Sequence, residues 1–142
     1  MSYSYNHGLV TPMKGAVIAA VKITELEVGA GGTAIGADCV IKQAGAGFVS
    51  SVEHDATGVY IIKLAAPYPP ALLFCDPRIS AAATTTDILT ARYDSGSYDP
   101  ATGWLTINVS DDDDSGAPIA ADGLDTDELH VLMVFTRYST LA

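Results

Sequence analysis

The stretch Asp99-Pro100-Ala101-Thr102-Gly103-Trp104-Leu105-Thr106-Ile107-Asn108-Val109-Ser110 decides the fold. Its second half alternates. Leu105, Ile107 and Val109 fall on one side of an extended chain and Trp104, Thr106, Asn108 and Ser110 on the other, the pattern of a strand with one face buried and one wet. The first half is a turn, in which the Asp99 side chain can cap backbone N–H groups and Gly103 accepts a positive φ where the strand begins. The same arrangement occurs upstream, where Asp55-Ala56-Thr57-Gly58 runs into Val59-Tyr60-Ile61-Ile62-Lys63-Leu64. Two such turn-and-strand units set an all-β class, and they are too few for a solenoid.

Outward from these units, residues 16–28 are rich in Val and Ile, and their apolar side changes between Ile23 and Leu26. That predicts a long strand with a bulge, with a helix as the alternative. After the connection Gly29-Ala30-Gly31-Gly32, residues 39–42 and 48–54 flank Gly45-Ala46-Gly47 and are expected to pair as a hairpin. Residues 71–74 and 88–93 supply two further strands, with Pro67, Pro69, Pro70 and Pro77 marking edges or crossovers. The closing segment, residues 128–138, is apolar on both sides, with Leu129, Val131, Met133 and Phe135 on one and Leu132 and Val134 on the other. This predicts a central strand buried on both faces, in which truncating Leu132 is severe.

About eight short strands with turns at close intervals give a single-domain antiparallel β-sandwich or jelly roll over residues 15–142. Residues 1–14 carry no periodicity and end on Thr11-Pro12-Met13-Lys14. They read as an extended N-terminal arm, with Tyr3, Tyr5 and His7 as the candidate partner-binding residues.

Composition bounds the function. The chain has 142 residues, 49% of them apolar and 17% charged, with a mean hydropathy of +0.27. One core is expected, and it can offset the ordering entropy. Seven basic residues against 17 acidic ones leave a net charge of −10, which repels nucleic-acid phosphates and anionic membranes alike. The longest apolar run, residues 15–21, is fenced by Lys14 and Lys22 and falls far short of a membrane span. The N-terminus lacks the basic region of a secretory signal, so secretion by that route is not expected. Cys39 and Cys75 are isolated and read as two small buried thiols, in keeping with folding in a reducing compartment.

Motifs for catalysis are missing from the sequence: there is no GxSxG elbow, HExxH, phosphate-cradling glycine loop or CxxC pair. His7, His54 and His130 are scattered, and no spacing joins two of them or brings one to a thiol. No cofactor is implied. One ion is a candidate. Asp111, Asp112, Asp113, Asp114, Asp122, Asp125 and Asp127 are seven of 13 aspartates in the chain, with no Lys or Arg between Arg92 and Arg137. The bland reading is a solvated acidic loop held open by its own repulsion. The sharper one is a calcium site, because Asp111, Asp113, Ser115, Gly116 and Asp122 occupy positions 1, 3, 5, 6 and 12 of an EF-hand-like loop. Against it, a strand precedes the loop, Pro118 replaces the usual aliphatic residue, and Asp122 replaces the longer Glu.

The Tyr-rich arm, the Asp-Ala-Thr-Gly-x-Tyr-x-Ile and Asp-Pro-Ala-Thr-Gly-x-Leu-x-Ile hairpins and the closing Asp-Glu-Leu-His-Val-Leu-Met-Val-Phe strand together resemble the small all-β head decoration, or cement, proteins of tailed phages. The resemblance implies a non-enzymatic virion structural protein, often a homotrimer. Such a protein binds the major capsid protein and copies of itself on the capsid exterior, after assembly in the host cytoplasm. It assigns no functional residue. The alternative is a trimeric receptor- or glycan-binding β-sandwich, as at a fibre tip or in C1q- and TNF-like domains, with the acidic loop holding calcium near the ligand.

Overall fold

Alternation becomes architecture once each strand finds the partner that buries its apolar side. The computed structural model describes residues 16–26, 32–44, 48–80, 89–111, 119–122 and 127–136. These hold nine strands and no helix: β1 (Ala16–Thr24), β2 (Val40–Ala44), β3 (Val49–Ala56), β4 (Val59–Leu64), β5 (Leu72–Ser80), β6 (Leu89–Tyr93), β7 (Trp104–Asp111), β8 (Ile119–Ala120) and β9 (Glu128–Thr136). They form two antiparallel sheets. The first runs β2-β1-β9-β5; the second runs β3-β4-β7-β6, and the short β8 pairs with β7. The chain is a β-sandwich. Residues 1–14, with the expected arm, lie outside the described residues.

The inner faces supply the core. Val21 and Ile23 of β1, Tyr60 and Ile62 of β4, Leu105, Ile107 and Val109 of β7, and Leu129, Val131, Met133 and Phe135 of β9 are all buried. Phe135 links the layers, with the Phe48 ring 5.5 Å and the Tyr98 ring 5.2 Å from its own. The 104–110 alternation is therefore a buried and a wet face, as its sequence predicts.

Both glycine turns form. Gly58 and Gly103 have φ of 68° and 72°. Asp99 caps its turn, accepting from the Ala101 N–H at 2.9 Å through Oδ1. A side chain at Gly103 would run into the Tyr68 ring, and one at Gly58 would lie 2.9 Å from the Ala121 nitrogen and closer still to the Val109 carbonyl.

Three expectations are corrected, and one alternative is excluded. Residues 39–42 and 48–54 do not form a simple hairpin, because β2 pairs with β1 and β3 with β4. The segment before β2 divides its backbone bonds: the Cys39 N–H donates to Val52 O at 2.7 Å, and the His54 N–H to Ala37 O at 2.9 Å. After Val40 the ladder continues on the other sheet. Residues 16–24 form the expected strand, which excludes the alternative helix; their register with β2 shifts between Lys22 and Ile23, and Glu25 just beyond adopts a φ of 61°. The strand expected at 71–74 continues through Pro77 to Ser80, which an edge strand tolerates, since Pro removes one N–H from the ladder. Finally, β9 is central in its sheet, between β1 and β5, but it is not buried on both faces, since Leu132 is 41% exposed.

Candidate functional site

Of the histidines among the described residues, His54 is the one that is completely buried. It occupies an inward position of β3, stacks on the Tyr60 ring with centroids 5.0 Å apart and planes at 11°, and is bonded at both nitrogens. Nδ1 lies 2.8 Å from Thr33 O. Nε2 lies 2.8 Å from Asp122 Oδ1. The same Oδ1 accepts the Gly58 N–H at 2.6 Å, and the Tyr60 hydroxyl donates to Leu26 O at 2.5 Å. One carboxylate thus ties the segment after β8 to β3, 68 residues away in sequence, and to the β3–β4 turn, 64 away. This node locks segments together, and both His54 nitrogens are committed to it.

The thiols are held protonated. Burial pushes Cys39 up to about 11, partly opposed by a hydrogen bond from Thr33. Burial likewise pushes Cys75 up to about 12, with the Asp76 charge adding to it. A nucleophilic thiol needs the opposite shift. His130 is partly exposed on β9, 3.9 Å from Glu128. Glu128 is held below the usual carboxylate range by its hydrogen bond from Lys22, at 2.8 Å.

Of the expected calcium ligands, Asp113 and Ser115 lie outside the described residues, as do Tyr3, Tyr5 and His7 of the arm. Asp111 ends β7 opposite Ile119, and its Oδ1 is buried without a hydrogen-bond partner among the described residues. Asp122 faces His54, with Oδ1 already engaged. Among the described residues no three His, Cys, Asp or Glu side chains gather closely enough to hold a metal ion.

The feature that the residue pattern concealed is the outer face of the first sheet. Register sets Ile18, Val134 and Phe74 in one row across β1, β9 and β5, and Ala20, Leu132 and Asp76 in the next. Ile18 is 58% exposed, Phe74 52% and Leu132 41%, and Leu73, the extra residue where β5 bulges, is 60% exposed. Val134, between Ile18 and Phe74, is only 8% exposed. Scattered surface leucines are ordinary; neighbouring ones in register on one sheet face form a contiguous apolar patch. The signal was present in the two-sided apolarity of β9, but that pattern fits equally a covered face and an open one.

The second sheet differs outside. Its outward positions are mostly polar, with Glu53, Lys63, Thr106, Asn108, Arg92 and Ser110, although β4 also turns the partly exposed Val59 and Ile61 outward and the short β8 exposes Ile119. Its one large exposed aromatic, Trp104, has the Lys63 ammonium 4.4 Å from the ring centroid. An open hollow of about 320 Å³ lies there, lined by Arg92, Asp94, Asn108 and Ser110 among others. Comparison of the chain with protein-family models, with curated proteins and with solved structures gives no match in any of the three.

Proposed function

We propose that the chain is a non-enzymatic virion structural protein, a capsid decoration or cement protein that binds the head lattice and works through contact surfaces. The observation that carries this reading is the apolar outer face of the first sheet, a surface suited to protein contact on an otherwise strongly acidic chain. The character of the polar groups supports it: the buried histidine is saturated by structural partners, and both thiols are pushed away from the thiolate. The alternative of a glycan-binding tip module would use an exposed aromatic as a sugar platform. Trp104 is the candidate, but Lys63 already stands over its ring.

The test is an electron-microscopy map of the native virion that carries this chain. The expected result is sandwich-sized density on the head exterior, bridging neighbouring capsid subunits. Density at a tail or fibre tip, or no copy of the chain in the particle, overturns the reading.

A further inference from the structure

The outer face of the first sheet has a composition and a charge that bear on what covers it. Its centre is apolar, with Ile18, Ala20, Phe74, Leu132 and Val134 on three adjacent strands. The next rows along the sheet carry charges of both signs. Lys22 pairs with Glu128 at 2.8 Å, and Arg78 Nε stands 3.2 Å from Asp76 Oδ1. Lys42 of β2 adds its charge beside Glu128, so three cations against two anions leave this face weakly positive, while the chain as a whole carries −10. For two copies of such a chain, most approaches stack like charge on like charge. This face, with charges of both signs, avoids the meeting of acidic surface with acidic surface. A strongly charged partner, in contrast, gains little electrostatic attraction from a face so nearly balanced.

Size and shape agree. Four strands spaced about 4.8 Å apart, with nine residues of about 3.3 Å each in the longest, present a face of roughly 20 by 30 Å. That footprint is on the order of 600 Å² before side-chain relief is added, close to the ~800 Å² per partner of a standard interface. Sheets also pack readily on sheets, with side chains interdigitating across about 10 Å.

We infer that this outer face pairs with the same face of a second copy of the chain, forming a two-fold dimer with Phe74 and Leu132 at its centre. A contact of one patch with itself is two-fold, whereas the trimer implied by the resemblance joins two different patches. The inference stands on the sheet's outer face and does not depend on what the assembled protein binds.

The experiment is the solution mass of the full chain, by light scattering and sedimentation equilibrium, for the wild type, Phe74→Asp, Leu132→Asp and Trp104→Asp. The wild type and Trp104→Asp are expected at twice the chain mass of 14.7 kDa. The two first-sheet variants are expected at the single-chain mass, with dissociation constants raised at least about 100-fold. Retained cooperative unfolding shows that they still fold; if Leu132→Asp does not, Ile18→Lys probes the same face from β1. Added salt should leave the dimer intact or tighten it, because it screens the −10 charges and leaves the apolar contact alone. Four results overturn the inference. They are a wild type at single-chain mass, a trimer, a dimer that survives both Phe74→Asp and Leu132→Asp, and a dimer lost on removing residues 2–11, which would make that segment the occupant. A single-chain wild type that still binds phage heads would sink the dimer alone, and a dimer missing from every particle would sink the virion reading alone.

Discussion

The two sheets share one core and differ on the outside. In the second sheet β7 is polar outside, with Thr106, Asn108 and Ser110 backing Leu105, Ile107 and Val109, while β4 turns Val59, Ile61 and Lys63 outward, each only partly exposed. In the first, the strand that contributes Leu129, Val131, Met133 and Phe135 to the core also carries Leu132 and Val134 outward, with Ile18 and Phe74 beside them. An antiparallel sheet needs only one apolar face to fold. The second apolar face is therefore not required by the fold, and it is the surface that the proposed self-association would bury.

The contrast is broken if the outward residues of the first sheet belong to the core after all. The largest expected effect is at Leu129, where Leu129→Ala should cost about 2–5 kcal/mol by opening a cavity. Leu132→Ala, three residues on, should cost under about 1 kcal/mol in the dissociated chain. Denaturant midpoints measured at low protein concentration decide between them, and equal midpoints would return Leu132 to the core.

Next in size is the polar node that holds the second sheet from within. Asp122→Ala removes the acceptor shared by His54 and the Gly58 N–H and should cost about 1–3 kcal/mol, with Asp122→Asn milder because an acceptor oxygen remains. Chemical denaturation reads both. If Asp122→Ala matches the wild type, the node contributes nothing to stability.

Much of this organisation was legible in the residues. Asp99 and Gly103 announced a capped turn, Trp104 to Ser110 a one-sided strand, and Pro77 an edge. What was not legible is long-range. Nothing around His54 indicates that Asp122 will meet it 68 residues later, because a hydrogen bond between distant segments leaves no period in either. The division of residues 36–44 between two sheets was hidden for the same reason: backbone pairing does not depend on side-chain type. At Leu132 the period was visible and its meaning was not, since alternation assigns sides without saying which side is covered.

A smaller effect concerns pH, through Cys39, buried just before β2, and Cys75, partly buried on β5. Cys39 is raised from 9.0 to about 11 and Cys75 from 9.0 to about 12, both by burial. Folding therefore favours the protonated thiol. Their contribution is fully present below pH 9 and is lost as pH rises through the folded values, because the unfolded chain releases these protons first. Thermal melts should show Tm falling from pH 9 towards 11, with a shallower fall in Cys39→Ala. Identical slopes would mean that the thiol is not buried as described.

The smallest expected change is on the wet face of the second sheet, where Thr106→Ala should alter stability by less than about 0.5 kcal/mol and leave association untouched. A loss of association there would move the contact surface to the other sheet.

The most direct test of the central claim, that the outer face of the first sheet is the contact surface and that of the second is not, is hydroxyl-radical footprinting read by mass spectrometry. Assembled protein is compared with protein diluted to single chains. Leu73, Phe74 and Leu132 should be protected in the assembly and oxidised when dilute, while Trp104, 44% exposed in the single chain, should be oxidised equally in both. Protection of Trp104 with unchanged oxidation of Phe74 and Leu132 would contradict the account.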